Sequence, residues 1–576
     1  MDKAKLHKLI EVAAARQEAD LVIKNGKIID VYQGKIIQGD IAISDEYIAG
    51  IGNYKGKEEI DLKGAYVSPG FIDGHIHIES SYMTPEEFSR LVVPCGTTTV
   101  ITDPHEITNV CGIDGLDYML EAAASTPLDI RVMVPSCVPS TPFENSGAVV
   151  GAKDIENIFK SRKVHGLAEF MNSVGVVNND EECISKLLAA INEDRVIDGH
   201  APELAGNELN AYIVAGISTD HECSTVEDMD NKISRGMYIL LRHGSACHDL
   251  ENLLSGVNED NYRRCLLCSD DRQIHTIFEE GHVDDLIRRC IKAGIKPINA
   301  IRMATLNAAE CYGIKDIGGI APGKKANLVV FEDLENIKAT MTFIEGKLCA
   351  KSGKYLLPVT RVDASKVSSS VNVKDFSVDR LKLSLKSNKV RTMSICPDGV
   401  LTTAGVEEIQ LDEKGDFIYN KDKDLVKIIV VERHHATGNI GIGFLKEYGI
   451  KEGAIALSVA HDSHNIIAVG TSDEEIAMAV ENVIAMKGGI SLVHKKSLTH
   501  SIPLTVAGIM SEENAESFNE KLACAHEFAH NVLKVDKDKD PFMVLCFMAL
   551  PVIPELKITD MGLFDVEKFS FVSLES

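Results

Sequence analysis

Two histidines one residue apart, His75 and His77, follow an apolar run that ends in a Gly turn. On an extended strand, residues i and i+2 point to the same side, so both imidazoles can hold one cation. In a chain with 19 histidines a single His-x-His pair is weak on its own. Further ligand-type side chains, however, follow other strand-like runs. They are Asp103-Pro-His105-Glu106, Glu169, Asp198-Gly-His200, Asp220-His221-Glu222, Arg242-His243 and Ser269-Asp270-Asp271. An acidic residue at a strand end is often a helix N-cap, and Asp103 and Asp270 could each be one. Capping does not explain imidazoles and carboxylates recurring at nearly every strand end. Four histidines, a central Glu and an Asp suit two divalent metal ions with N/O ligands. By ligand type these are Mn, Fe, Zn or Co rather than Ca or Cu(I).

The elements that must carry these residues alternate between strand and helix patterns. Strands are expected at Tyr66–Ile72, Thr98–Thr102, Ile130–Val134, Val164–Ala168, Val196–Ile197, Gly216–Ser218, Tyr238–Leu241 and Cys265–Cys268. Eight strands with interposed helices over residues 65–316 fit an α/β architecture of the (β/α)₈ TIM-type barrel. A doubly wound open sheet is less suited, because polar residues close all the strands and a ring of sites accommodates them. Residues 1–64 read as short strands with tight turns, and Asn25-Gly26 is a hairpin signal. Strands return in 317–363 and are expected to complete a small β-sandwich with the N-terminal ones. Ala364–Ser370 is a polar linker candidate, and 375–576 reads as a C-terminal α/β domain. Its His434-His435 and His461-x-x-His464 fit a metal site and a structural or site-lining loop about equally.

A formal charge of −26 argues against a nucleic-acid backbone as partner. No apolar run is long enough for a membrane span, and the N-terminus has no signal-peptide core, so the expected address is the cytoplasm. The 14 cysteines are scattered through apolar runs, as reduced core residues are. Cys265 and Cys268 share a strand-like run in which i and i+3 face opposite sides, so they make a poor metal pair.

As a set, several segments resemble the amidohydrolase superfamily, and within it the adenine deaminase family. They are Pro69-Gly-Phe-Ile-Asp-Gly-His-Ile-His-Ile-Glu-Ser-Ser81, Thr102-Asp-Pro-His-Glu106, Gly166-Leu-Ala-Glu-Phe-Met-Asn172, Asp198-Gly-His-Ala-Pro202, Asp220-His-Glu222, Ser269-Asp-Asp271 and His461-Asp-Ser-His-Asn465. The resemblance implies that His75, His77 and Asp270 hold the more buried metal, Glu169 bridges, and His200 and His221 hold the second. Many relatives bridge with a carboxylated Lys, and no Lys stands at that strand end here. Two divalent ions are implied, Mn2+ or Fe2+ first and Zn2+ next. The implied reaction is attack of a metal-activated hydroxide on C6 of adenine, giving hypoxanthine and ammonia for purine salvage, with Asp270 moving the proton. The proton for N1 could come from Asp271, Glu106 or Glu79, and the sequence does not choose. His243 is a further catalytic candidate, and Glu79, Ser81, His105 and His464 are candidate substrate contacts. The family also implies a homo-oligomer, a dimer or larger. Cytidine-type zinc deaminases are excluded: His77-Ile-Glu79 is present, but Pro94-Cys95 is followed by Gly-Thr-Thr. Two alternatives stay open: a cyclic-amide hydrolase of the dihydroorotase or hydantoinase type, and a non-catalytic scaffold on the same fold.

Overall fold

The computed structural model describes residues 1–397 and 399–576. An N-terminal helix, Lys3–Ala13, is followed by five strands: β1 (Ala19–Asp30), β2 (Lys35–Ser44), β3 (Tyr47–Gly52), β4 (Gly56–Asp61) and β5 (Tyr66–Pro69). The Asn25-Gly26 hairpin does not form. Both flanks of the dipeptide pair with the one long strand β2, and the extra length is absorbed by a register break between Ile23 and Gly26. Asn25 sits there at φ 55°, the left-handed region that Asn tolerates, so the dipeptide makes a bulge and not a turn.

The barrel strands are β6 (Phe71–Ile76), β7 (Thr97–Thr102), β8 (Asp129–Val132), β9 (Gly166–Phe170), β10 (Val196–Gly199), β11 (Thr219–Asp220), β12 (Tyr238–Arg242) and β13 (Cys265–Cys268). They pair in parallel as β6–β7–β8, β9–β10 and β11–β12–β13. Further backbone hydrogen bonds close the ring between these groups. The amide of Val134 donates to Gly166 O at 2.8 Å, that of Ser218 to Ile197 O at 3.4 Å, and that of Asp270 to His75 O at 3.0 Å. Apolar side chains from several strands, Ile72, Ile101, Ala168, Leu240 and Leu266, pack with Ala308 and Ala309 of the helix Leu306–Cys311.

The expected first strand, Tyr66–Ile72, is two strands. β5 belongs to the small sheet, and β6 starts the barrel one residue after Gly70. A Cβ on Gly70 would lie 2.1 Å from Thr98 Oγ1, so only glycine lets the chain pass from one sheet to the other here. The barrel strand therefore runs on to Ile76, with His75 inside it and His77 just beyond.

After the barrel, β14 (Leu328–Phe331), β15 (Met341–Ile344), β16 (Lys347–Lys351) and β17 (Lys354–Tyr355) rejoin the first sheet. The sheet order is β17-β16-β15-β14-β5-β1-β2-β3, with β4 also on β1. The segment 364–370 is no free linker. Val367 is buried, its carbonyl accepts the Ala507 amide at 2.8 Å, and Ser370 accepts from the buried Arg433 guanidinium.

The C-terminal region carries an eight-stranded sheet, mainly antiparallel, with one parallel pair between Lys389–Ile395 and Ile440–Lys446. The helix Asp473–Met486 packs on it. Ser472 caps that helix by accepting the Glu475 amide, and three acids fill its first turn, where the helix dipole favours negative charge. This region sits on the barrel mouth. The Ser511 amide donates to Tyr82 O at 2.7 Å, and the Ala515 amide to Glu87 Oε1 at 2.9 Å. Among the described residues, no helix is long and apolar enough to cross a membrane.

Candidate metal centre and active site

His75 and His77 face each other through their Nε2 atoms at 3.2 Å. Each ring's other nitrogen is committed as a donor. His75 Nδ1 lies 2.9 Å from Asp198 Oδ2, and His77 Nδ1 lies 2.9 Å from the Asp103 carbonyl. A neutral imidazole with its proton on Nδ1 presents a lone pair at Nε2. Two lone pairs at that distance repel, and a cation between them removes the repulsion. The carboxylate and carbonyl behind the rings are the usual orienting partners of metal-binding histidines.

Glu169, from β9, is buried at the centre. Its Oε1 lies 3.4 Å from His77 Nε2, while Oε2 lies 2.8 Å from His200 Nδ1 and 3.2 Å from His221 Nε2. One carboxylate thus divides its oxygens between the two histidine pairs. Burial pushes its pKa up, but contacts to His200, His221 and His77 outweigh that and hold it well below the carboxylate range. Asp270, just past β13, puts Oδ1 at 3.2 Å from His77 Nε2 and 3.7 Å from His75 Nε2. Its Oδ2 accepts from Arg242 at 3.0 Å. Burial raises its pKa too, and again loses, here to His77 and the Arg242 charge. The six residues expected as metal ligands therefore lie together, at the strand ends.

The other candidates divide. His105 turns its Nδ1 to both Asp103 Oδ2, at 3.1 Å, and Glu169 Oε1, at 3.4 Å. Glu79 is buried, accepts the Ile107 amide at 3.2 Å through one oxygen, and has no partner for the other. Burial pushes its carboxyl up to about 7. Asp271 is raised as well, first by burial and then by the adjacent Asp270 charge, and it accepts a hydrogen bond from Ser80. Ser81 instead donates to Ile78 O at 2.6 Å and accepts the Met83 amide, a turn-holding role. Glu106 and His464 meet each other. The His243 ring is turned to Glu251, at 3.0 Å, and stacks on His248, so its neighbour Arg242 is the strand-seven residue that reaches Asp270. Strand alternation, which puts adjacent residues on opposite faces, separates the two.

Arg242, Glu222 and Asp198 stand in the strand-end segments without a role assigned from sequence, and Lys232 escaped sequence reasoning altogether. Arg242, which is buried, pairs with the half-buried Glu222 beside Asp270. Lys232 is fully buried and donates to Asp220 Oδ2 at 2.9 Å and Ala201 O at 2.6 Å, tying the His221 and His200 loops together. Asp198 stands behind His75. The Asp-Gly-His spacing could have flagged Asp198, but nothing local marks Lys232, which is one more Lys on a polar helix until the fold buries it.

The donor set is imidazole and carboxylate, converging in a buried space, and it fits divalent metal binding. Comparison with known proteins agrees. Residues 66–349 match the amidohydrolase family, and residues 399–570 match the adenine deaminase C-terminal domain. The chain is 54% identical to "Adenine deaminase 2" of Desulfotalea psychrophila and 52% identical to "Adenine deaminase" of Ligilactobacillus salivarius, both over all of each chain. It is 47% identical to "Adenine deaminase" of Clostridium acetobutylicum, over 98% of this chain and 99% of that one. Likeness of this degree over the full length, on a barrel whose strand ends gather the candidate metal ligands, establishes that the chain belongs to the adenine deaminase family of amidohydrolases.

Proposed function

We propose that the protein hydrolyses adenine to hypoxanthine and ammonia at the barrel mouth. The observation that carries the reading is the division of Glu169 between two histidine pairs, because it builds places for two cations side by side. His75, His77, Glu169 and Asp270 would hold one divalent ion, and Glu169, His200 and His221 the other, with Mn2+ or Fe2+ first and Zn2+ next. Bound there, the ions would supply Lewis-acid activation and a water of lowered pKa.

The chain's own groups handle the protons. Asp270, kept ionised by His77 and Arg242, accepts a proton from the attacking water and delivers it to the amino group leaving C6. Glu79, whose burial keeps a proton on it near neutral pH, donates to N1 and makes the ring electrophilic. Glu106 is the poorer N1 donor, since two imidazoles hold it as an anion. The loop His461–Asn465 is buried against the barrel mouth and excludes water from the pocket.

The test offers purified, Mn-loaded protein adenine beside adenosine and dihydroorotate, following ammonia release and the ultraviolet change to hypoxanthine. Turnover of adenine, lost in Glu169→Gln, is expected. Turnover of dihydroorotate with none of adenine would replace this reading with the cyclic-amide one.

A further inference from the structure

Outside the metal centre, a second buried cluster joins the two halves of the molecule. Glu106, in the first turn of the helix His105–Cys111, is met by two histidines of the C-terminal domain. His461 Nδ1 lies 2.5 Å from Oε1, and His464 Nε2 contacts Oε2. All three side chains are buried. By residue type this could be a third cation site, and the hydrogen bonding decides against it. His464 Nδ1 accepts the Ala460 amide at 3.1 Å, so that nitrogen carries a lone pair and no proton. In a neutral ring the proton must then be on Nε2, aimed at Glu106. A cation on Nε2 would force the proton onto Nδ1, against the Ala460 N–H.

Both rings are braced from their own domain. The His464 amide donates to Ala460 O at 2.7 Å, and its carbonyl accepts from Arg433, a buried guanidinium that also binds Ala507 O at 3.0 Å. His464 is held at φ 54°, a left-handed conformation that a non-glycine residue keeps only where its surroundings impose it. The His461 ring stacks on Phe547 with centroids 4.8 Å apart. On the barrel side, Glu106 Oε1 lies 3.4 Å from His105 Nε2, and the opposite edge of that ring faces Asp103 and the central Glu169.

We infer that His461 and His464 are positioning residues: two imidazole N–H donors clamp the Glu106 carboxylate and, through it, hold His105 against Glu169. The C-terminal domain is thereby a working part of the barrel's site. The inference rests on the proposed deamination for its kinetic consequence and on the hydrogen-bond geometry for its structural one. Each imidazole has an amide mimic, Gln for a donor at Nε2 and Asn for a donor at Nδ1.

The experiment compares full-length, Mn-loaded wild type with His464→Ala, His464→Gln and His461→Asn. Loss of one hydrogen bond to a charged group should lower kcat about ten- to a hundredfold in His464→Ala, with KM much less affected. His464→Gln and His461→Asn should recover most of it, and bound metal per chain should not change. Hydrogen exchange of residues 105–111, read by mass spectrometry, should rise in His464→Ala and stay low in His464→Gln. An unchanged kcat in His464→Ala, or a third metal ion per chain that His464→Ala removes, would overturn the clamp. Absence of adenine turnover in the wild type would sink the deamination reading instead, and the exchange comparison would then decide the clamp alone.

Discussion

Asp198→Asn isolates the group behind the proposed metal ligand His75 without changing that residue. In the native arrangement the His75 Nδ1–H donates to a carboxylate at 2.9 Å, in a site with almost no solvent. A hydrogen bond to a charged partner is worth about 1.5–3 kcal/mol and a neutral one about 0.5–1.5 kcal/mol, so by the middles of these ranges the exchange costs roughly 1.2 kcal/mol. That difference corresponds to about tenfold in metal affinity, the low end of what partners behind a ligand usually contribute. The sign follows from charge: a carboxylate behind the ring makes Nε2 a better donor to a cation, and an amide does so less. Competition against a graded series of chelators would read the two binding steps separately. The step assigned to His75, His77 and Asp270 should weaken, and the step assigned to His200 and His221 should hold. Unchanged affinity, or equal weakening of both steps, would refute the assignment of His75 to the first site.

Lys232→Met leaves the Asp220 carboxylate buried and without its cation, which should destabilise the protein by about 3–5 kcal/mol. Adding Asp220→Asn should return part of that in thermal unfolding, because no buried charge then remains. Glu79 has a folded pKa of about 7 against a free value of 4.5, so it binds its proton more tightly folded than unfolded. Its contribution to stability is full below the free value and is lost as pH rises towards 7. As the proposed N1 donor it should give kcat a limb that falls above about pH 7, and Glu79→Gln should remove that limb along with most of the rate. Glu169→Gln removes the shared anion, and metal analysis should find fewer ions per chain than in the wild type.

Residue chemistry at strand ends made much of the centre legible before any coordinates. His75, His77, Glu169, His200, His221 and Asp270 stand in local motifs at strand ends, a strand's period of two puts His75 and His77 on one side, and the family resemblance supplied the roles of the rest. Contacts that depend on the far side of the fold were not legible. Arg242 and His243 are neighbours in sequence, and only the register of β12 says which one faces Asp270. Lys232 gains its role from a helix packing over two loops. Asn25-Gly26 has the chemistry of a turn and becomes a bulge because β2 is long enough to pair with both flanks. The break at Gly70 was hidden by a continuous apolar run, which a strand passing from one sheet to another writes as readily as a single strand does.

The small sheet has a consequence for synthesis. β5 lies between β1 and β14, yet β14 begins roughly 260 residues after β5 ends. At ribosomal speeds of about 5–20 residues per second, the N-terminal strands spend roughly 15–50 s with an unpaired edge while the barrel is being made. An open edge of this kind invites pairing with other chains. The barrel, inserted between the two halves of the sheet, must fold with its entry and exit brought close enough for β14 to dock. A nascent chain halted within the barrel should therefore bind chaperones through its first 70 residues, and release them once β14 emerges.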